Sequence, residues 1–361
     1  MDEILTSRNW QEKKVPRRSV FQVLGFGTFA LFATEALAAC GGNYLLASSH
    51  VKPPGHDVWT AVDTMADSRD RAREGLSKEW IGYLVSEVKK LHATHISIAT
   101  PYDTEFIPVY VEWVKKARLE GLKVLHRGVI PEWGGLFGRP NNPNPTKYPD
   151  QIHTFITENS YLFKDGDKFD PCPEPENQMD VFKTPQNKYA YRRFIVNLHQ
   201  ASRAAFSQIN KNIEVITSMN GDMPRLLGFD PVDKLDVVSV MGSLSLDHET
   251  ADPLEMGTRI QSYQHFGVPI YLTECGVPDP TITGGNPLPE EEQPMFVQQL
   301  FKQMIKNNVS GIDFYSLVHK FSHLLENNDS NGKYLPSHTR ENGIYPVVKE
   351  YFTRLAEHEA S

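Results

Sequence analysis

Several residue types and patterns are scarce in this chain of 361 residues, and each scarcity excludes a class of protein. Only three cysteines are present, so the chain is not a disulfide-stapled scaffold. Lys and Arg number 37 against 45 Asp and Glu, and no long basic run follows residue 40. A broad nucleic-acid-binding face is therefore excluded, because neutralising phosphates needs clustered cations. With 40% apolar and 23% charged residues, disorder, collagen and coiled coil are excluded as well.

Motifs for common cofactors are also missing. No glycine-rich strand-to-helix turn has dinucleotide-binding spacing, and no phosphate-binding loop or serine nucleophile elbow occurs. His92 and His95 straddle a predicted helix end and strand start, which is not a metal-ligand arrangement. We therefore expect neither a metal nor a cofactor.

The N-terminus has the order of an export signal. Basic residues at 13, 14, 17 and 18 precede an uncharged, largely apolar run of about 16 residues from Ser19 to Thr34. Leu37-Ala38-Ala39-Cys40 follows and resembles a bacterial lipobox, which implies cleavage before Cys40 and acylation of its thiol. The pattern predicts a signal peptide or membrane anchor over 1–39 and a linker over 40–56, which leaves 57–361 as the folded domain. An uncleaved membrane helix stays open, and either alternative predicts an extracytoplasmic, membrane-anchored protein.

After the linker, short apolar strands alternate with helices. Residues such as Trp80, Leu84 and Val88 recur at helical spacing after the first strand. The predicted strands cover Val58 to Val62, His95 to Ala99, Lys123 to Ile130, a stretch near Phe169, Ile213 to Ser218, Val237 to Met241, Pro269 to Thr273 and Gly311 to Leu317. Eight such units indicate parallel strands with helical crossovers. We predict the α/β class, with a single (β/α)8 TIM barrel.

Two carboxylate positions stand out at the predicted strand ends, where the reactive groups of such a barrel gather. Pro173-Glu174-Pro175-Glu176-Asn177 follows the fourth strand, and Glu274 follows the seventh. Splitting an acetal needs one carboxylic acid to protonate the departing oxygen and one carboxylate to attack or stabilise the sugar carbon. The pair predicts hydrolysis of a glycosidic bond.

These residues resemble the clan of (β/α)8 retaining glycoside hydrolases, whose acid/base glutamate ends strand four and whose nucleophile ends strand seven. Thr273-Glu274-Cys275-Gly276 looks like the clan's Thr-Glu-x-Gly, and Glu174-Pro175 looks like its Glu-Pro. The resemblance implies Glu274 as nucleophile and Glu174 as acid/base, with Glu176 as the substitute, and does not identify a family within the clan. Pro173 stands where the clan has an asparagine.

Six further residues are candidates for contacting an oligo- or polysaccharide substrate. His126 and Arg127 follow a strand and could bind hydroxyls or hold Glu274 ionised. Tyr102, Trp133 and Tyr315 could supply flat faces for sugar rings, and Asn220 could bind a hydroxyl.

Two other functions remain open from the sequence. Pro173 in place of asparagine motivates a barrel that binds carbohydrate without turnover. A sugar isomerase or aldolase is less favoured, because its metal ligands or Schiff-base lysine are not found at strand ends. Cys172 and Cys275 are expected to be free thiols.

Overall fold

The structure is a computed structural model, and it describes residues 58–129, 145–178, 182, 188–220, 236–247, 252–278, 287–318, 324–327 and 336–359. The signal or anchor segment, the linker and Cys40 lie outside the described residues. No helix in the described ranges is both long and apolar enough to span a bilayer.

Nine parallel strands form one curled sheet. They are β1 (Trp59–Asp63), β2 (His95–Pro101), β3 (Lys123–Val129), β4 (Lys168–Asp170), β5 (Glu214–Val215), β6 (Ser218–Asn220), β7 (Leu244–Asp247), β8 (Ile270–Cys275) and β9 (Gly311–Phe314). The hydrogen-bonded order is β5-β4-β3-β2-β1-β9-β8-β7-β6. Only Ile216 and Thr217 separate β5 from β6, so these two segments occupy one strand position. The sheet is thereby a closed barrel with eight positions, which confirms the predicted architecture.

Helices cover the outside of the barrel. They are α1 (Lys78–Lys90), α2 (Ile107–Leu119), α3 (Tyr148–Glu158), α4 (Pro175–Gln178), α5 (Lys188–Gln208), α6 (Val237–Met241), α7 (Pro253–Tyr263), α8 (Gln293–Lys306) and α9 (Tyr345–Glu359). In α1, the Ser77 side chain caps the Trp80 N–H at 3.1 Å, and apolar residues at helical spacing face the sheet. Each large apolar side chain buried there contributes roughly 1.5–3 kcal/mol.

The sixth predicted strand was placed wrongly. Val237–Met241 is the short helix α6, and the strand at this position is β7, a few residues later. The Asp236 side chain caps the Ser239 N–H at 3.1 Å, and Gly242 ends the helix at φ +74°. A five-residue apolar run does not distinguish a buried strand from a buried helical turn, so these end residues decide. A short hairpin of β10 (Leu325–Asn327) and β11 (Thr339–Glu341) was not predicted.

The core has two separate parts. The larger part lies between the sheet and the helices. A small cluster inside the barrel consists of Trp59, Ala61, Leu125, Ile216 and Tyr271. Trp59 is the first residue of β1 and Tyr271 the second of β8, so this cluster closes the floor of the barrel and leaves the upper interior to polar groups. Cys172 and Cys275 are buried free thiols, as expected.

Candidate active site

Glu174 and Glu274 lie at the mouth of the barrel, where β4 and β8 end. Both have left-handed backbones, with φ of +46° and +55°. The Glu174 N–H donates to the Ser218 carbonyl at 2.8 Å, which holds this backbone against the neighbouring strand position. A positive φ in a residue other than glycine costs roughly 1 kcal/mol or more and is concentrated at functional sites.

A buried arginine holds the Glu274 side chain. Arg127, on β3, is fully buried, and its Nη1 is ion-paired with Glu274 Oε1. The same nitrogen lies 3.2 Å from Asp63 Oδ2, at the end of β1. The Glu274 side chain is 18% exposed, so its carboxylate reaches the mouth while its counter-ion remains inside the barrel.

The environment of Glu274 places its ionisation near neutrality. Burial raises its pKa to about 7, Arg127 opposes this rise, and the charge of Glu174 adds to it. Asp63 raises the pKa further, and Arg69 lowers it. The charge of Glu174 therefore acts on Glu274 across the mouth of the barrel, where burial weakens screening by water.

Glu176 is buried close to Glu174, and both of its carboxyl oxygens accept hydrogen bonds. Its Oε2 accepts a hydrogen bond from the Tyr191 hydroxyl at 2.9 Å, and its Oε1 accepts from the Asn220 N–H at 2.5 Å. Burial raises its pKa to about 7, and the charge of Glu174 adds to the rise. Glu176 therefore ties the α4 segment to α5 and β6.

Two further residues lie near Glu274: Arg69, which the sequence did not suggest, and Tyr315, which it did. Arg69, in a short π-helix after β1 (Ala66–Asp70), is paired with Asp70 at 2.6 Å, and its charge acts on Glu274 and Tyr315. The Tyr315 N–H donates to the Cys275 carbonyl at 2.9 Å, and its side chain is half-buried. The sequence did not point to Arg69 because it lies in this short π-helix, six residues beyond the end of β1.

His126 does not belong to the site, which corrects its assignment as a hydroxyl contact. It is fully buried, and its ring nitrogens contact the Tyr110 hydroxyl and Asp167 Oδ2, the latter at 3.2 Å. His126 and Arg127 are consecutive in β3, so their side chains point to opposite faces of the sheet. Arg127 points inward, and His126 packs against the helix layer.

The other residues predicted to contact substrate have different positions in the structure. Arg127 is fully buried and forms ion pairs with Glu274 and Asp63, so its guanidinium stabilises these carboxylates instead of contacting sugar hydroxyls. The Tyr102 hydroxyl donates to the Pro171 carbonyl at 2.6 Å, so this residue braces the chain after β4. Asn220 is half-buried beside Glu176. Trp133 lies outside the described residues.

Within the described ranges, no group of three or more His, Cys, Asp or Glu side chains is arranged to hold a metal ion. The carboxylates at the mouth are instead bound by arginine, hydroxyl and backbone N–H groups. The arrangement offers two acids on opposite strand positions, and one of them is ion-paired.

The chain matches no protein-family model and no curated protein sequence. Several solved structures are similar to it. An aphid myrosinase matches with a TM-score of 0.59 and 11% identity, covering 82% of this chain and 98% of that one. A GH5_18 protein from Bifidobacterium longum subsp. longum matches with a TM-score of 0.56 and 11% identity over 84% of this chain and 80% of that one. A GH1 beta-glucosidase from Exiguobacterium antarcticum B7 gives a TM-score of 0.55 and 12% identity, covering 85% and 99%. At such identities these likenesses show the fold.

Proposed function

We propose that this chain is a glycoside hydrolase that cleaves its substrate with retention of configuration. The observation that carries the proposal is the placement of Glu174 and Glu274 at the mouth of one barrel, where the charge of Glu174 acts on Glu274. Retention needs two carboxyl groups on either side of the scissile bond, one of them a nucleophile. The similarity in fold to a myrosinase, a beta-glucosidase and a GH5_18 protein supports the same function.

Glu274 is the nucleophile in this proposal. Its ionised carboxylate attacks the anomeric carbon while the bond to the leaving oxygen breaks, and a covalent glycosyl-enzyme forms. Arg127 stabilises the ionised form and fixes one oxygen, so the other is free to turn toward the sugar. The carboxylate is fully ionised only above its pKa of about 7, which favours activity at neutral to mildly alkaline pH.

Glu174 is the acid/base, and Glu176 is its neighbour. The Glu174 carboxyl group gives its proton to the leaving oxygen, then takes a proton from the water that releases the sugar from Glu274. Both oxygens of Glu176 already accept hydrogen bonds, from Tyr191 and Asn220. Its carboxyl group is therefore fixed away from a substrate, whereas the charge of Glu174 acts directly on Glu274.

The substrate in this proposal is an oligo- or polysaccharide. Tyr315 and Asn220 are half-buried at the mouth and contribute an aromatic face and a polar side chain. One similar GH5_18 structure was solved in complex with Manb1-4GlcNAc, and another similar structure is a GH5 cellulase. β-Mannosides and β-glucosides are therefore the first substrates to test.

The test is a screen of aryl glycosides and polysaccharides with the wild type beside Glu274→Gln and Glu174→Gln. We expect turnover by the wild type, loss in both variants, and a first product with the configuration of the substrate by proton NMR. Equal activity in all three proteins would remove the assignment. Binding of sugar by calorimetry without any turnover would instead support a carbohydrate-binding barrel.

We also propose that the chain is exported and tethered to a membrane by a lipid on Cys40, from the sequence of its first forty residues. Radiolabelled fatty acid should enter the wild type and not Cys40→Ser, and the variant should leave the membrane fraction. Labelling of both proteins, or of neither, would contradict lipidation at this position.

A further inference from the structure

One buried cation faces four acids inside the barrel. The Arg127 guanidinium is acted on by Glu274, Asp63, Asp313 and Asp170, and all four carboxyl groups lie in the barrel or at its rim. Burial alone would lower the pKa of Arg127, but these acids raise it well above its usual value. Arg69 adds a second positive charge that acts on Glu274 and Asp63, but two cations do not balance four negative charges in a space with little water. At least one of the acids must therefore keep its proton.

The four acids differ in the number of hydrogen-bond donors that contact their carboxyl oxygens. Asp170 accepts from the Ser218 N–H at 3.0 Å, the Ser218 hydroxyl at 2.5 Å and the Cys172 N–H at 3.3 Å. Asp63 accepts from the Met65 N–H at 2.7 Å in addition to Arg127. Burial raises the pKa of both carboxyl groups, that of Asp170 to about 6, whereas these donors and Arg127 favour the ionised form.

Glu274 forms an ion pair with Arg127. Two further charged groups face it, Glu174 after β4 and Arg69 after β1, so its surroundings include both signs of charge. Glu274 therefore has a direct counter-ion and an opening to solvent, which both favour its ionised form.

Asp313, on β9, has none of this support. It is fully buried, and within the described part of the chain neither of its carboxyl oxygens has a hydrogen-bond partner. Its nearest cation, Arg127 Nη1, is 4.0 Å from Oδ2. The Ser97 hydroxyl favours the charged form of Asp313, although it does not reach hydrogen-bond geometry. Burial and then the charge of Asp63 raise the pKa of Asp313 well above its usual value.

We propose that Asp313 holds a proton inside the barrel at neutral pH and acts as a positioning residue for Glu274, because its neutral carboxyl group leaves the Arg127 charge to Asp63 and Glu274. An ionised Asp313 would compete for the guanidinium and add a negative charge beneath the nucleophile. The link to catalysis rests on the proposed function, whereas the proton on Asp313 is present whether or not a sugar is cleaved.

The direct test is infrared spectroscopy of the full chain at about pH 9, above the pKa of about 7 of Glu176 and Glu274. We expect the wild type to show the carbonyl stretch of a buried carboxylic acid. Asp313→Asn should lose this band, and the matched control Glu176→Gln should keep it. A wild type without the band, or a band that persists in Asp313→Asn, would overturn the proposal.

A second measurement needs no variant, in case Asp313→Asn does not fold. In the wild type labelled with ¹³C at the aspartate carboxyl carbons, one aspartate should keep the chemical shift of the protonated form up to about pH 9. Complete ionisation of every aspartate by about pH 7 would contradict the proposal.

The kinetic test compares the acidic limb of kcat/KM in Asp63→Asn and Asp313→Asn. Removing the ionised Asp63 should lower the apparent pKa of this limb by about one unit, because a like charge beside Glu274 is gone. Removing a neutral Asp313 should leave the limb in place. Equal shifts in the two variants would show that Asp313 is ionised. If the protein proves not to hydrolyse sugars, the spectroscopic tests still decide where the proton resides.

Discussion

Arg127 Nη1 contacts the carboxyl groups of both Asp63 and Glu274, which come from the ends of β1 and β8. One fully buried guanidinium on β3 thereby joins three strand positions beneath the mouth. Because a buried ion pair is sensitive to the loss of either partner, this contact couples the folding of the barrel interior to the charge of the proposed nucleophile.

Arg127→Met should raise the pKa of Glu274, since the cation that favours its ionised form is removed. The acidic limb of kcat/KM should move up by about one unit or more, and stability should fall by roughly 3–5 kcal/mol. pH-rate profiles and urea denaturation measure the two effects. Arg127→Lys, which keeps the charge, should move the limb less. An unmoved limb in Arg127→Met would show that Arg127 does not govern Glu274.

Glu174→Gln and Glu176→Gln should respond differently to the leaving group. Without its acid, Glu174→Gln should lose roughly 10²- to 10⁴-fold in kcat/KM on glycosides of poor leaving groups. Its loss should be smaller on aryl glycosides that depart without a proton. Glu176→Gln should follow the leaving-group dependence of the wild type. The reverse pattern would assign the acid/base role to Glu176.

Glu176 should make stability depend on pH in a specific window. Its pKa rises from the usual 4.5 to about 7 on folding, so between these values the native state holds a proton that the unfolded chain has released. Its contribution to stability therefore falls as the pH rises through this window, by about 3 kcal/mol in all. The free energy of unfolding of Glu176→Gln, relative to the wild type, should rise by that amount between about pH 4.5 and pH 8. A constant difference across this range would contradict the buried, raised-pKa acid.

Gly311→Ala should destabilise the floor of the barrel. A Cβ at this position would lie 2.0 Å from Trp59 Cε2, and Trp59 is held by edge contacts with Tyr271 and His95 at 5.2 and 5.7 Å between ring centroids. Overpacking of this kind costs roughly 1–3 kcal/mol. Gly343→Ala is the matched control, because its added Cβ would meet Pro294 at an ordinary 3.5 Å. Thermal unfolding of both variants should show a loss for Gly311→Ala alone.

Asp236→Ala should destabilise α6, the short helix found where the sequence predicted the sixth strand. The Asp236 carboxyl group accepts from the Ser239 N–H at 3.1 Å and from the Ser239 hydroxyl at 2.7 Å. Loss of an N-cap costs about 1 kcal/mol. Ser239→Ala removes only the hydroxyl contact and should cost less by urea denaturation. Equal stability of Asp236→Ala and the wild type would contradict a cap at this position.

The barrel could be predicted from the sequence because its signal is repeated. Eight alternations of apolar strands and amphipathic helices leave few topologies, and one misplaced unit does not change the count. The strand near Phe169 was predicted only from its position in the alternation of strands and helices. The unit at Val237–Met241 failed because local capping by Asp236 and Gly242 outweighed β-branched composition.

The two acids of the site were also within reach of the sequence, because each follows a strand. Their surroundings were not. Nothing local to Arg127 shows that it faces inward while His126 faces outward, since alternation fixes only that the two differ. The two hydrogen-bond donors to Glu176, Tyr191 and the Asn220 N–H, come from α5 and β6, which are distant in the sequence. Asp313 is the single acid in the short apolar strand Gly311–Phe314, a pattern that indicates a buried polar group.

The left-handed backbone at both Glu174 and Glu274 has a consequence for the history of this chain. Glycine and asparagine relieve such a conformation, so either replacement would gain stability wherever the carboxyl group no longer mattered. In a descendant released from selection for chemistry, these two positions would be among the first to drift. Glutamate retained at both of them across relatives would therefore mark the lineages in which the barrel still works on a substrate.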